Sequence, residues 1–514
     1  MGSTKGLFQD KKDLLKGVIK RAACIFPIFD LNICDVIISF QNYWYWKRNI
    51  KVKFNLIIRS SNGNQIFKKS NNTPELINSI SIKNLIIENN INIEKIKFGT
   101  VDVEIISEEN LVYPFPAIMC YYISVGGFIS CVHSAGRILE QTETNEIEFS
   151  ETNFFLSTKK EYRPFIHVFN GKEGRINDIQ IELKNGDINY SKSLPSLDKP
   201  YESKIFFIDE YFDLKELNLK NKYKQFKSPF RCSIRGKCSN IFPRFIVGNY
   251  DTINKYPAIT HSFREIKEED NIKYFKKENA STISLPLNVD DLNLEVFIYP
   301  TTSPIRTSVN LSKYKLKNME FISKFEEVDL SSKYGKIFKL KASEITKPGI
   351  ALIATSSLFA GEIPSRIPVG LMFSVKNKSN NLPTDIALQM RTHNAIPKVN
   401  YWFNGITTNQ FKSIILGSSF TGFNNDNDLL FDFELSIKNN KKQLKKLFHY
   451  HPENSKTFCI NLNEMIDSLL KDFLIINQIV SYCWRINIKK GSIQDLYCLS
   501  YSNETGCIFG DHSF

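Results

Sequence analysis

The sequence lacks long apolar segments. None of its stretches approaches the ~18 consecutive apolar residues that a membrane-spanning helix needs. Near the N-terminus, charged residues that include Lys11, Lys16 and Arg21 interrupt the apolar run that a signal peptide requires, so classical secretion is disfavoured. We therefore expect a protein without a transmembrane segment and with a cytoplasmic location.

Clustered cysteines are also missing. The chain contains 10 Cys, which are scattered singly and mostly have apolar neighbours, as in Met119-Cys120-Tyr121. Disulfide frameworks instead concentrate their cysteines in small secreted domains. The distribution is typical of reduced, buried thiols that pack as small apolar side chains.

No local catalytic motif stands out. The sequence contains no G-x-x-x-x-G-K-[ST] phosphate loop, no G-x-S-x-G nucleophile turn and no H-E-x-x-H zinc motif. These absences disfavour P-loop nucleotide hydrolysis and α/β-hydrolase chemistry. An enzymatic site in this chain would have to be assembled from segments far apart in the sequence.

Aromatic and basic residues are abundant. The 514 residues include 40 Phe and 21 Tyr, and the formal net charge is +13. Aromatic residues favour half-buried strands, and a chain of this length corresponds to about three to four domains. The positive charge suits an anionic partner, although a general richness in lysine explains the same value.

Four of the 7 His are spaced almost evenly along the chain. His133, His261, His393 and His512 follow one another at intervals of 128, 132 and 119 residues, and serine follows three of them. Intervals of this length are ordinary domain sizes. The spacing therefore predicts four related modules.

Two matching β-hairpins support this repeat. Apolar and polar residues alternate through 51–56 before Asn62-Gly63, and through 179–183 before Asn185-Gly186. Such alternation predicts strands, and Asn-Gly favours the positive φ angles of a type I′ turn. The two glycines lie 70 and 75 residues before the histidines that end their modules.

A second hairpin is predicted at the end of each module. Apolar runs at 128–132, 258–260, 386–390 and 507–509 each follow an earlier apolar run and a turn. Each of these runs stops shortly before or at a repeated histidine. We expect the histidines to mark the ends of the last strands.

Helical patterns are rare. Residues 10–21 have a short amphipathic pattern. Residues 463–477 have apolar side chains at i, i+3 and i+4 spacing, with Asn463 as a candidate N-cap.

The predicted fold is mainly all-β, with about four tandem antiparallel β-sandwich or jelly-roll-like modules and few short helices. The expected modules are 20–150, 151–275, 276–400 and 401–514, and the last of them contains the helix near 463–477. We expect these modules to pack in pairs.

The repeated histidines are candidate metal ligands. Neutral imidazole is a common metal ligand, so His133, His261 and His512 could converge at the module rims on a divalent metal ion. In the alternative, each histidine ends a strand and hydrogen-bonds the following turn. The long sequence separation between these residues favours the structural role.

The segment 222–244 is a candidate anion-binding surface, because it is rich in basic and aromatic residues and has no acidic residue. Cations can hold phosphate or carboxylate while rings stack on bases or sugars. A solvated basic loop is the alternative, and a disulfide between Cys232 and Cys238 could pin it. The candidate ligand-binding residues are Tyr223, Phe230, Arg231, Arg235 and Lys237.

Trp402 is a further candidate, because an indole can form a platform for a sugar ring, although a core position at a strand start explains it equally well. The sequence favours a non-enzymatic protein that binds an anionic or carbohydrate ligand, such as an acidic polysaccharide or another polyanion, or that assembles as a homo-oligomer. The alternative is a metal-dependent or carbohydrate-acting enzyme with His, Arg and Asp residues at the module rims.

Overall fold

In the computed structural model, the described part of the chain forms two compact units, one within residues 18–265 and the other within residues 271–514. The structure describes residues 18–514 except 73, 134, 140–145, 153–154, 158, 186–187, 217–230, 266–270, 274–280, 286–288, 300–306, 316–320, 331–334, 341–348, 358–361, 365–366, 377, 379–380, 390, 393–399, 419–428, 440–441, 453–456, 471–477 and 494. Strands predominate in both units.

The first module of the first unit is a pair of four-stranded antiparallel sheets. Its strands are β1 (Arg21–Pro27), β2 (Cys34–Gln41), β3 (Lys53–Arg59), β4 (Gln65–Asn71), β5 (Ile77–Ser81), β6 (Thr100–Ile106), β7 (Ile118–Ser124) and β8 (Ile129–His133). The spatial orders are β1-β6-β3-β4 and β5-β2-β7-β8. Two short helices, α1 (Tyr43–Arg48) and α2 (Ile82–Glu88), and a 3-10 turn at Ile93–Lys95 lie between strands.

The second module follows in the same unit. Its strands are β10 (Ile147–Thr152), β11 (Tyr162–Phe169), β12 (Asn177–Asn185), β13 (Ile188–Ser193), β14 (Ser203–Phe207), β15 (Arg231–Cys238), β17 (Ile246–Asp251) and β18 (Tyr256–His261), with a 3-10 turn at Ile208–Glu210. The orders are β13-β12-β15-β10 and β14-β11-β17-β18. Short strands β9 (Arg137–Ile138) and β16 (Ile241–Phe242) pair with each other, and β19 (Phe263–Arg264) pairs with β10.

The second unit contains the third module. Its strands are β21 (Ser281–Leu285), β22 (Leu292–Ile298), β23 (Thr307–Lys315), β24 (Phe321–Leu330), β25 (Lys336–Leu340), β26 (Gly349–Ser357), β28 (Pro368–Val375) and β29 (Thr384–Gln389). The orders are β24-β23-β26-β21 and β25-β22-β28-β29. Short strands β20 (Asn271–Lys273) and β27 (Glu362–Pro364) pair, and β30 (Arg391–Thr392) pairs with β21.

The fourth module completes the second unit. Its strands are β31 (Asn400–Thr407), β32 (Lys412–Ser418), β33 (Leu430–Asn439), β34 (Lys442–Tyr450), β35 (Thr457–Asn461), β36 (Val480–Lys490), β37 (Asp495–Tyr501) and β38 (Ile508–His512), with helix α3 (Leu462–Asp467) after β35. The orders are β31-β36-β33-β34 and β35-β32-β37-β38. None of the described helices has the length or apolar character needed to span a bilayer.

The same strand order recurs in all four modules. Numbered within each module, one sheet has the order 1-6-3-4 and the other has the order 5-2-7-8. The prediction of an all-β fold of several antiparallel sandwich modules is confirmed. The domain boundaries stay predictions, and β10 crosses the expected boundary at residue 150.

Each sandwich is held by apolar side chains that alternate with polar ones along the strands. In the first module, Phe54 of one sheet stacks on Phe40 of the other, with ring centroids 4.8 Å apart. The second module has its own core, to which Ile25 of the first module also contributes. In the second unit a single core contains residues of both modules. Full burial of one such side chain contributes about 1.5–3 kcal/mol.

The first predicted hairpin forms, but its turn differs from the type I′ expectation. Gly63 has φ +85°, whereas Asn62 does not have a positive φ. The Gly63 amide donates to the Ser60 carbonyl, and the β3–β4 register shifts at Arg59. The observed connection is a β-turn followed by a glycine with left-handed φ and a β-bulge. It is compatible with the right-handed twist of the two strands, as the predicted two-residue type I′ turn would be. In the second hairpin, Gly186 lies outside the described residues.

Replacing Gly63 with alanine is expected to lower the free energy of unfolding by about 2 kcal/mol or more, because the left-handed φ costs about 1–2 kcal/mol and the new Cβ would overlap the Pro200 carbonyl oxygen. Gly127 is the matched control, since its φ is +78° but a Cβ there meets nothing within 4 Å. Gly127→Ala should therefore show only the conformational cost. Urea unfolding measures both changes in free energy. If Gly63→Ala and Gly127→Ala lose the same amount, the contact of Gly63 with the Pro200 carbonyl is not tight.

The predicted terminal hairpins are present. β7 pairs with β8, β17 with β18, β28 with β29 and β37 with β38. Three of the last strands end at the repeated histidines His133, His261 and His512. His393 lies outside the described residues.

The predicted helix near 463–477 begins earlier than expected. The N-cap of α3 is Asn461, whose side chain accepts the amide of Asn463. Asn463 is therefore not the cap, and its own side-chain oxygen instead accepts the amide of Ser413. The rest of this predicted helix, residues 471–477, lies outside the described part of the chain. The other predicted helix was 10–21. Its residues 10–17 also lie outside the described part, and its last residue, Arg21, begins strand β1.

Candidate functional site

The first sheet of the first module has a charged outer face. Along β6, Val101, Val103 and Ile105 are fully buried in the sandwich, so the intervening Asp102 and Glu104 face the other side. Glu104 lies opposite Ala23 on β1, and Asp102 lies opposite Ile25. Two carboxylates therefore lie on one face of a central strand.

Asp102 forms a buried ion pair. The Arg59 Nε lies 2.8 Å from Asp102 Oδ2, and the two side chains are only 10% and 9% exposed. The same guanidinium donates to the Gly63 carbonyl at 3.4 Å. The bulge of the β3–β4 hairpin thus places Arg59 over the carboxylate of the neighbouring strand.

Glu104 has a separate arginine partner. Arg21 of β1 donates from Nε and Nη2 to Glu104 Oε1 at 3.0 and 2.7 Å. Its Nη1 donates to the Ile138 carbonyl at 2.8 Å, and Asn55 donates to Glu104 Oε2 at 3.2 Å. The charged groups of this face are consequently fixed in orientation by their neighbours.

The second module covers this face. The Arg59 guanidinium lies 3.8 Å from the centroid of the Tyr201 ring, a cation–π contact. The Ser203 amide donates to the Ser61 carbonyl of the first hairpin at 2.9 Å. Tyr201 itself has φ +59°, which is uncommon for an aromatic residue and indicates that its surroundings hold it there.

A cavity of about 370 Å³ lies between the charged face and its cover. This volume is near the lower end of the ~300–1,000 Å³ of small-molecule sites. Ala23, Ile25 and Leu139 contribute apolar surface. The polar side chains that line it are Arg21, Arg59, Asp102, Glu104, Lys172 and Tyr201.

One buried side chain anchors both turns of the second module that reach the cavity. Asn170 is fully buried, and its Nδ2 lies 2.7 Å from the Gly174 carbonyl and 3.0 Å from the Lys199 carbonyl. Its Oδ1 accepts the Gly171 amide, and the Gly171 carbonyl accepts the Tyr201 amide. Asn170 therefore positions the turn that carries Lys172 relative to the turn that carries Tyr201.

Burial controls protonation in the cavity wall. Desolvation raises the pKa of Asp102, against the opposing effect of the Arg59 charge, and Glu104 raises it further. Burial also raises the pKa of the Cys24 thiol well above its usual value, so the thiol is neutral near pH 7. The described lining includes no Ser, Thr or His. The arrangement is suited to holding a polar molecule by hydrogen bonds.

Two of the three predicted metal ligands come together in the first unit. The rings of His133 and His261 are 4.6 Å apart at their centroids, with an edge-to-face geometry. Arg244 lies 3.2 Å from Nδ1 and 2.7 Å from Nε2 of His261. Both ring nitrogens therefore face a cation, and a metal ion would have to displace Arg244.

The third predicted ligand, His512, ends β38 in the second unit. Its Nδ1 lies 3.1 Å from the Ser513 carbonyl oxygen, and the His261 Nδ1 lies 3.0 Å from the Ser262 carbonyl oxygen. The two histidines thus contact the residue that follows them in the same way, as expected for strand-ending residues. Metal binding by these residues stays a prediction.

The basic segment 222–244 is mostly a strand in its described part. Arg231 is 3% exposed and lies 3.2 Å from Glu265, and Arg235 lies 3.3 Å from Glu182 and 3.2 Å from Glu265. Lys237 lies 3.3 Å from Asp178. Neighbouring carboxylates therefore offset these cations, although the segment has no acidic residue of its own.

Other expectations for this segment depend on its strand geometry. Cys232 and Cys238 are both free and lie on β15. Six residues of extended strand span about 20 Å, so the suggested disulfide between them cannot form. Tyr223 and Phe230 lie outside the described residues. Anion binding by this segment stays a prediction.

Trp402 lies on β31, on the opposite side from the buried Tyr401 and Phe403. It pairs in register with Arg485, whose Nη2 lies 2.7 Å from Glu434. The indole is thus on the polar face of its sheet rather than in the core. Sugar stacking on it stays a prediction.

The sequence did not single out the cavity residues. The alternation of Val101, Val103 and Ile105 was recognisable, and it implied that the acidic residues between them point outward. Their arginine partners were not recognisable, because Arg59 and Arg21 are 43 and 83 residues away from the carboxylates they bind.

Comparisons with known proteins assign no family. No protein-family model matches the chain, and no curated protein does. Solved structures give weak similarities. A calcium-binding mutant of β-glucuronidase 2 from Bacteroides uniformis is 8% identical over 52% of this chain and 27% of that one, with a TM-score of 0.12. The BSP domain of a biofilm-associated protein is 7% identical over 96% and 95% of the two chains, with a TM-score of 0.15. The chain spans about a quarter of the length of the β-glucuronidase.

Proposed function

We propose that this chain is a non-enzymatic binding protein whose first unit holds a small carbohydrate in the cavity beside Arg59 and Asp102. The observation that carries the proposal is the composition of the cavity wall. Fixed guanidinium and carboxylate groups, a tyrosine ring and small apolar patches line one space of about 370 Å³.

These groups match the chemistry of a sugar. Hydroxyl groups both donate and accept, so they can bond to carboxylate and guanidinium groups whose directions are already fixed. The C–H faces of a sugar ring pack on apolar and aromatic surface. An entirely apolar ligand is disfavoured, because it would remove water from charged groups without replacing the lost hydrogen bonds.

The second candidate function is carbohydrate hydrolysis in the same cavity. Asp102 and Glu104 lie two residues apart on one face of β6, about 7 Å along the strand, and glycosidases use pairs of carboxylic acids. Binding without hydrolysis is favoured because each carboxylate is already held by an arginine. Release of reducing sugar from an oligosaccharide, lost in Glu104→Gln, would support the enzyme instead.

Neutral mono- and disaccharides are expected to bind the full chain with Kd values on the order of 1 mM, measured by saturation-transfer NMR and calorimetry. Ala23→Leu should abolish this binding, because Ala23 lines the cavity and the larger side chain fills part of it. Lys192→Ala, at an exposed site on β13 outside the cavity, should bind like the parent chain. No saturation transfer from any sugar would contradict the proposal.

A further inference from the structure

The cavity wall has one positive charge more than it has negative charges. Arg21, Arg59 and Lys172 line it together with Asp102 and Glu104. Each carboxylate has its own arginine at 2.7–2.8 Å. Lys172 is exposed and makes no ion pair with any residue that the structure describes.

Lys172 is held where it can act on a bound molecule. It follows Gly171, and the Gly171 amide and carbonyl are bonded to Asn170 and Tyr201. The backbone next to Lys172 is therefore fixed relative to the backbone of Tyr201. The ammonium group retains its own freedom, so it can approach a ligand at the mouth of the cavity at little cost in backbone ordering.

We propose, resting on the function proposed above, that the sugar is acidic and that Lys172 pairs with its anionic group. The two internal ion pairs supply hydrogen bonds to hydroxyl groups but leave no net charge between them. The remaining ammonium group then favours a carboxylate or phosphate on the ligand. An amino sugar would bring a second unmatched cation into the same space.

The probes are glucose, glucuronate, glucose 6-phosphate and glucosamine, titrated into the full chain by calorimetry at low and at physiological salt. Glucuronate is expected to bind about 2- to 5-fold more tightly than glucose, as for an exposed ion pair, and the difference should shrink with added salt. Glucosamine should bind more weakly than glucose. Comparing glucuronate with glucose 6-phosphate distinguishes a carboxylate from a phosphate ligand.

Lys172→Glu is expected to reverse the order, so that glucosamine binds more tightly than glucuronate while glucose is little changed. Lys192→Glu is the matched control for the positive charge of the whole chain, and it should leave the order intact. Equal binding of glucose and glucuronate by the parent chain, or the same reversal in the control, would overturn this inference while the carbohydrate site stands. Failure of all four sugars to bind would overturn the proposed function as well.

Discussion

Replacing Arg59 with alanine is expected to lower the free energy of unfolding of the first unit by about 3–5 kcal/mol. The substitution leaves the Asp102 carboxylate buried without its cation, and the raised pKa of Asp102 reflects the cost of that burial. It also removes the stacking of the guanidinium on Tyr201. Substitutions at exposed positions seldom change the free energy of unfolding by more than about 0.5 kcal/mol, so the loss expected for Arg59→Ala is clearly larger.

Denaturant-dependent hydrogen exchange, followed in β3 and β6, measures this loss within the first unit. The double variant Arg59→Met with Asp102→Leu is the control, because it removes both charges and keeps apolar volume. It should recover most of the lost stability, since an apolar pair is often no worse than a buried ion pair. If Arg59→Ala proves as mild as Lys192→Ala, the ion pair is not buried in solution.

The second large effect is expected in acid, at His167 on β11. The side chain is fully buried, and neither ring nitrogen has a hydrogen-bond partner among the described residues. Desolvation lowers the pKa of His167 to about 3. In the unfolded chain, the His167 imidazole takes up a proton near pH 6.5. In the folded chain, the same imidazole stays neutral until the pH approaches 3. Stability is therefore fully present above pH 6.5 and falls by about 1.4 kcal/mol for each pH unit from there towards pH 3.

His167→Leu should remove this part of the pH dependence. Carboxylates contribute to acid unfolding in both proteins, so the quantity to measure is the difference in unfolding free energy between parent and variant at pH 7, 5 and 4. That difference should move in favour of the variant as the pH falls. His451→Leu is the control, because His451 is exposed. A constant difference for His167→Leu would show that the imidazole is not desolvated.

The strands were predictable because their patterns are local. Alternation along β3 and β12 and the apolar runs before the repeated histidines lie within a few residues, and the terminal hairpins formed as expected. The helix start was missed by two residues because two asparagines, Asn461 and Asn463, lie close together, and only the hydrogen bonds show which one caps.

The site was not predictable in the same way. Arg59 and Asp102 become neighbours because β3 and β6 pair across 43 residues of sequence, and Tyr201 comes from another module. In the basic segment, the sequence shows only one sign of charge. Its positive charge was evident locally, but the carboxylates that offset it lie elsewhere in the sequence, Glu182 on β12 and Glu265 directly after β19.

Because Lys172 and Tyr201 belong to the second module while the other residues of the cavity wall belong to the first, neither module alone forms the complete wall. Occupancy of the cavity and association of the two modules are thus thermodynamically linked. Any ligand that needs both halves opposes their separation by RT ln(1 + [L]/Kd), about 2.7 kcal/mol at a hundredfold excess over Kd. By the same linkage, separation of the two modules should weaken the affinity for such a ligand.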